Sequence, residues 1–335
     1  MEHFETVLSG KTDVVHARRT EGNMDYEITY HTDIGTTREV NQDSAAIAVA
    51  DTSEGPVCIA LLCDGMGGIA MGEYASSYVV MDMLRWFEED LPELLREHHT
   101  LEQIGEIWTQ MLVSYDGHLR EYGQSRGIKL GTTATCVLFW QGRFLLAQSG
   151  DSRFYESGRK LWQISKDQSR VQEQIDKGLL TREEARSHPG RNILSDCIGG
   201  SRPSVPVCTY GRIKRGTNYV LCSDGLVHEL SDTEIARFTN GINHALRNDL
   251  QCRLAEMTEV VKSRGETDNI TAVAVMVERT SGIGGSILSG MQRRGRPRGT
   301  SRQWLFRIRE KVLLTSGTGK LEEEILVTET EGEIY

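Results

Sequence analysis

The chain has 335 residues, 38% hydrophobic and 26% charged, an ordinary globular composition with ample material for a core. Its formal net charge of −10 argues against nucleic-acid binding, which recruits basic surfaces, and suits a protein that gathers carboxylates around cations. The seven cysteines (Cys58, Cys63, Cys136, Cys197, Cys208, Cys222 and Cys252) are odd in number, form no CxxC pair and mostly sit in apolar runs, so they read as buried free thiols of a reducing compartment. The first residues lack an apolar signal core, and no run approaches the ~20 apolar residues that cross a bilayer, so a soluble, cytoplasmic and monomeric protein is expected.

Residues 1–25 are polar and weakly patterned and read as an N-terminal extension. Residues 26–280 carry a globular pattern. EITYHTD, SAAIAVA and VCIALLCD are rich in β-branched and apolar residues and predict strands. Apolar residues at three- and four-residue spacing then predict a helix from about Gly72 to Phe87 and a second from about Leu101 to Tyr122. TTATCVLFW and RFLLAQSG predict strands joined by a turn at Gln141-Gly142. A loop-and-helix stretch follows from about Lys166 to Gly200, then a strand in NYVLCSD. SDTEIARF opens a helix capped by Ser or Asp, a long helix covers about Asn243 to Ser263, and NITAVAVMV is the last strand. Strand pairs separated by helix pairs predict an α/β layered sandwich of antiparallel sheets with helices outside.

Residues 281–335 change in composition. SGIGGSILSG reads as a linker, Arg293, Arg294, Arg296, Arg298 and Arg302 form a basic run, and the end is strongly acidic. This bipolar tail reads as flexible or loosely docked. The basic run is expected to be a solvated linker, with pairing to Glu322–Glu324 as an alternative. Thr328 and Thr330, in VTETEGE, are candidate phosphorylation sites.

The chemistry lies in aspartates at strand ends. Asp43 precedes a strand, Asp64 ends VCIALLCD before GMGG, and Asp151 follows FLLAQSG. Asp224 follows NYVLCS, and Asp268 in ETDN precedes the last strand. An apolar strand that stops at Asp-Gly delivers a carboxylate to a sheet edge, where the glycine permits close approach. Any one of these has a dull explanation as a turn or a cap. Five repeating the same arrangement would converge into an oxygen-only site suited to Mg²⁺ or Mn²⁺ rather than Zn²⁺. GMGGIAMG is not a Walker loop, because no Lys-Ser/Thr follows it. Strand alternation points Cys63 and Cys222 away from the site.

The ordered series REVNQD, CDGMGG, GTTAT, GDSR, SDGL and TDNIT, from Arg38 to Thr271, resembles the motifs of type 2C protein serine/threonine phosphatases, bacterial members above all. The resemblance implies a four-layer α-β-β-α sandwich with two central, mainly antiparallel sheets. It implies hydrolysis of phosphoserine and phosphothreonine on protein substrates, opposing a Ser/Thr kinase, with two Mn²⁺ or Mg²⁺ ions and in many members a third. It implies that Asp64 bridges two metals, helped by the carbonyl of Gly65, and that Asp224 and Asp268 complete the first metal's shell. Asp43 would stand beside the metals, Asp151 would hold the third with Asp224, and Arg38 would grip the substrate phosphate. ARSHPGRNILSDCIGG resembles the family's stretch between GDSR and SDG, which ends in a flap-like region beside the active site.

Two positions depart from the family pattern. The family often has Glu directly before the aspartate matching Asp43, and this chain has Gln42, whose amide carries no charge. Where relatives carry a general-acid His in or just after DGxGG, this chain has Met66 and Ile69; metal-bound water is the simplest substitute, with His31 and His188 as other candidates. The rival expectation is a pseudophosphatase that uses the same fold as a binding or scaffold module. A regulator binding nucleic acid through the basic tail is a weaker one.

Overall fold

The computed structural model describes residues 14–15, 25–67, 71–186, 188–240, 247–278 and 304–315. The Arg293–Arg302 run, Glu322–Glu324, Thr328 and Thr330 lie outside the described residues.

Two antiparallel sheets pack face to face with helices on both outer sides, as the resemblance implies. The first sheet contains β1 (Val14–Val15), β2 (Asp25–Asp33), β8 (Arg153–Ser157), β9 (Leu161–Gln163), β11 (Thr217–Cys222) and β12 (Ile270–Glu278), in the order β1-β2-β12-β11-β8-β9. The second contains β3 (Asp43–Thr52), β4 (Gly55–Gly67), β6 (Ala134–Trp140), β7 (Arg143–Ser149), β10 (Val207–Arg212) and β13 (Phe306–Leu314), in the order β10-β7-β6-β4-β3-β13. The short strand β5 (Leu130–Thr132) pairs with the far end of β4.

Strand alternation builds the layers. Ala45, Ile47 and Val49 of β3 face the other sheet with Tyr26, Phe139, Phe154 and Tyr219. Ala46, Ala48 and Ala50 face outward, against α1 (Gly72–Glu89), α2 (Leu91–Arg96) and α3 (Leu101–Arg126). Both faces of β3 are therefore buried, which explains its nearly unbroken apolar sequence. On the opposite side, α6 (Asp224–Val227), α7 (Asp232–Thr239) and α8 (Arg247–Ser263) cover Val220, Cys222, Ala272 and Ala274. Cys63 and Cys222 lie in these outer core layers, as their alternation predicts. Cys58 and Cys136 are also buried, Cys197 and Cys208 are half-buried, and Cys252 is exposed.

The predicted helices and strands are present within a few residues of their expected ends, except that residues 243–246, where the long helix is expected to begin, lie outside the described residues. Gln141 and Gly142 form the β6–β7 turn with φ of 48° and 74°, the left-handed pair that a tight hairpin needs. Ser231 caps α7 in a reciprocal box with Glu234. The stretch from Lys166 to Gly200 carries α4 (Arg170–Asp176) and α5 (Arg182–Arg186). Among the described residues, no helix is long and apolar enough to cross a membrane.

The tail differs from expectation. Residues 306–314 add β13 to the free edge of β3. Phe306 packs edge-on to Phe87 with ring centroids 5.8 Å apart, and Arg309 meets Asp51 at 3.0 Å with both side chains nearly buried. Within this strand Lys311 is paired with Glu88 at 2.8 Å.

Candidate active site

The register of the sheets brings the five strand-end aspartates to one end of the sandwich. Asp43, the first residue of β3, is the direct partner of Asp64, which lies three residues before the end of β4. Cys222 pairs with Ala272, so Asp224, just after β11, and Asp268, just before β12, lie at the same end of the first sheet. Asp151 enters from the β7–β8 connection. Its predecessor Gly150 has φ of 110°, and a Cβ there would meet Thr133 Cγ2 at 2.6 Å, so only glycine lets this turn lie against the strand beside Asp64.

Threonines fix the backbone around Asp64. Its N–H donates to Thr133 Oγ1 at 2.9 Å, and its carbonyl accepts from Thr133 N–H at 2.9 Å and from Thr132 Oγ1 at 3.0 Å. Gly65 is packed so tightly that a Cβ would meet Gly72 O at 2.2 Å and Gln42 O at 2.5 Å. These contacts explain the GTT motif in physical terms: its hydroxyls hold the strand that carries Asp64.

The carboxylates share one electrostatic environment. Burial pushes the Asp43 carboxyl up to about 7; the Thr271 and Ser223 hydroxyls temper the shift, and Asp224 and Asp268 add to it. The two hydroxyls lie close enough to temper Asp43, yet neither Asp43 oxygen is met in hydrogen-bonding geometry; Ser223 Oγ accepts from Thr271 N–H, and Thr271 Oγ1 pairs with Thr32 Oγ1. Burial also holds Asp64 well above the usual carboxylate range, and Asp43, Asp224, Asp268 and Asp151 reinforce it. Asp151 is raised by burial, then by Asp224 and Asp167, against the opposing charge of Arg153. A buried carboxylate oxygen without a donor is costly, and Asp224 Oδ1 is another.

These features suit a hard cation. The donors are oxygens, the charge is negative, and the orphaned oxygens of Asp43 and Asp224 lack any other partner. Among the described residues, no three His, Cys, Asp or Glu side chains stand close enough to hold one ion by themselves. An ion here would complete its shell with water or backbone carbonyls, as Mg²⁺ commonly does.

Arg38, 46% exposed, donates to Asp268 Oδ2 at 2.8 Å. Its loop is held by Asn269, whose Oδ1 accepts from Gln42 N–H at 2.8 Å and whose Nδ2 donates to the carbonyls of Ile34 and Val40. Gln42 turns its amide to Glu73 Oε2 at 3.2 Å, and its carbonyl accepts from Gly65 N–H and Ser76 Oγ.

Neither histidine named from the sequence joins the carboxylates. His31 lies in β2 opposite Ala272, with burial lowering its pKa and Asp33 and Lys262 nearby. His188 Nδ1 accepts from Gly190 N–H within a local turn. Ile69 lies outside the described residues, and Met66 pairs with Gly131 in β4–β5. Sequence reasoning missed His228, whose Nε2 lies 3.4 Å from Asp224 Oδ2 and whose Nδ1 lies 3.8 Å from Glu266 Oε2. Its signal was the four-residue spacing after Asp224, which places both side chains on one helical face. His228, Asp151 and Asp224 line a cavity of about 140 Å³ together with Arg182, Arg186 and Arg191.

Residues 35–259 match the family Protein phosphatase 2C. The chain belongs to that family. It is 33% identical over 254 residues to a putative protein phosphatase 2C-type of Streptococcus pyogenes, covering 74% of this chain and 96% of that protein. It is also 33% identical over 264 residues to the serine/threonine protein phosphatase PstP of Mycobacterium tuberculosis, covering 77% of this chain but 46% of PstP. The Streptococcus agalactiae serine/threonine phosphatase superposes with a TM-score of 0.66 at 32% identity, over 76% of this chain and 100% of that one. The catalytic domain of PstP, solved with two manganese ions, superposes with a TM-score of 0.61 at 26% identity, over 76% of this chain and 99% of that one.

Proposed function

We propose that this chain hydrolyses phosphoserine and phosphothreonine monoesters on proteins, opposing a Ser/Thr kinase, with two Mn²⁺ or Mg²⁺ ions and a site for a third. One observation carries the reading. Five carboxylates from separate elements crowd one end of the sandwich, and Asp43, Asp64 and Asp151 are each held above the ordinary carboxylate range. A fold accepts such self-repulsion where a function requires it.

Asp43, Asp64, the Gly65 carbonyl, Asp224 and Asp268 would hold the two ions, and Asp151 with Asp224 would hold the third. When bound, the ions supply Lewis-acid charge and bring a coordinated water toward ionisation near neutral pH. Arg38 is exposed enough to exchange its bond to Asp268 for a substrate phosphoryl oxygen, where a guanidinium binds in bidentate fashion and offsets developing charge. Water adds to phosphorus as the ester P–O bond breaks. One proton of the attacking water passes through solvent to the departing Ser or Thr oxygen, and hydrogen phosphate and the free hydroxyl leave.

The test is turnover of p-nitrophenyl phosphate and phosphopeptides with Mn²⁺, with Mg²⁺ and with no metal. Metal-dependent turnover is expected, abolished by Asp64→Asn or Asp224→Asn. Wild-type activity in either variant would overturn the site assignment. No metal-dependent turnover on any phosphopeptide would leave the scaffold reading in its place.

A further inference from the structure

The buried stripe of α3 runs Leu101, Ile104, Trp108, Leu112, Tyr115, Leu119, and one charged residue interrupts it. Asp116 is 1% exposed. A carboxylate in that position is expensive unless several donors meet it. Three do. Gly199 N–H donates to Oδ1 at 2.9 Å, and Ser204 N–H and Arg120 Nε donate to Oδ2 at 3.2 and 3.0 Å. Two of these donors belong to the backbone of a distant segment, the exit of the flap-like stretch that carries α4 and α5.

The same exit touches the strand of the carboxylates. Ile198 and Thr132 exchange both backbone hydrogen bonds at 2.9 Å. Thr132 Oγ1 then donates to the Asp64 carbonyl. A continuous path therefore runs from Asp116 through Gly199, Ile198 and Thr132 to Asp64. The flap's entrance is tied in a parallel way, since Gly150 N–H donates to Gln168 Oε1 at 2.6 Å and Gln168 N–H donates to the Gly150 carbonyl at 2.9 Å. Both stems of the flap are thus anchored on backbone that adjoins a site carboxylate. The entrance anchor is a neutral amide, whereas the exit anchor is a buried charge.

We propose that Asp116 is a positioning residue for the phosphatase reaction: it clamps the exit of the flap and, through Ile198 and Thr132, fixes the backbone that presents Asp64. Its effect on turnover rests on the function proposed above; its clamping of the flap does not. Asp116→Asn keeps one acceptor, and with that oxygen turned to Ser204 and Arg120 its amide N–H₂ faces the Gly199 N–H, donor against donor. The variant is expected to lose about tenfold in kcat on p-nitrophenyl phosphate, the scale typical of groups that orient ligands from behind. KM should change by less than about twofold, because Asp116 does not touch substrate.

Two measurements separate positioning from simple destabilisation. In amide hydrogen exchange on the full-length protein, Gly199, Ser204, Ile198 and Thr132 should lose protection selectively, while the centres of β3 and β12 keep theirs. In a double-mutant cycle with Thr132→Val, which removes the hydroxyl on the Asp64 carbonyl, the double variant should be little worse than the poorer single one. Unchanged kcat in Asp116→Asn, protection lost evenly across both sheets, or fully additive losses would overturn the proposal. If the variant does not fold, the wild type decides: rapid exchange at Gly199 and Ser204 refutes the clamp, and sheet-like protection there supports it. A wild type without phosphatase activity would sink the proposed function, and the exchange pattern would still judge the clamp.

Discussion

Replacing Asp43 with asparagine should stabilise the metal-free protein at neutral and alkaline pH. The Asp43 carboxyl is held at about 7 in the fold against an ordinary 3.8, so the folded state binds its proton more tightly than the unfolded chain does. A group raised in this way contributes stability that is fully present below pH 3.8 and is lost as pH rises through about 7. The gap of roughly 3 pKa units, at ~1.4 kcal/mol each, amounts to about 4 kcal/mol at most. For a domain of this size that corresponds to roughly 10 °C in Tm. Thermal unfolding in EDTA, for wild type and Asp43→Asn between about pH 4.5 and about pH 8, reads the effect. The amide's own packing cost is common to both ends of the range, so the widening of the Tm gap toward alkaline pH is the signal. A gap that stays flat across the range would refute the claim that crowded, buried carboxylates strain this end of the sandwich.

Two further outcomes follow from the geometry. Gly150→Ala places a Cβ 2.6 Å from Thr133 Cγ2 at φ of 110°, so a loss of about 1–3 kcal/mol is expected, with a fall in metal-dependent turnover as Asp151 shifts; an unchanged Tm and turnover would show that the turn tolerates a side chain. Truncation after Glu278 removes β13 and opens the edge of β3, so a lower Tm and concentration-dependent light scattering are expected, and a truncated chain with wild-type Tm would show that β13 adds nothing to the fold.

The core was legible because both sheets bury both faces, and strands such as SAAIAVA and VCIALLCD announce themselves as apolar runs. The five aspartates were legible for the same reason, since each stands where such a run stops. Their convergence was not, because it needs the β3–β4 hairpin of one sheet to meet the β11–β12 pair of the other, and these two pairs lie far apart in sequence. β13 was hidden by composition: Arg307, Arg309, Glu310 and Lys311 crowd its middle, and a register shift between Ile308 and Glu310 breaks the period of two. His228 and Asp116 were hidden because a lone polar residue in a helix gains meaning only from what the fold brings to it. Asn269 stood inside a recognised motif, yet its work on the Arg38 loop is visible only in its three bonds.

Gln42 is the position where the sequence pattern and the geometry have to be weighed together. Against the family pattern it is a lost acid, and the loss counts toward a scaffold without catalysis. In the fold its Nε2 donates to Glu73 Oε2 at 3.2 Å, and Glu73 is 9% exposed. A glutamate at 42 in that pose would face Glu73 with no donor between them, and two carboxylates so close and so little solvated repel strongly. The amide turns that repulsion into a hydrogen bond while leaving the charge on Glu73. It also keeps the backbone contacts that seat Gly65, since the Gln42 carbonyl accepts from Gly65 N–H at 3.1 Å whichever side chain is present. One negative charge therefore remains within hydrogen-bond reach of the substituted position, carried by α1 instead of the loop before β3. Gln42 and Glu73 form a unit, and the absence of an acid at 42 taken alone says little about whether the site works.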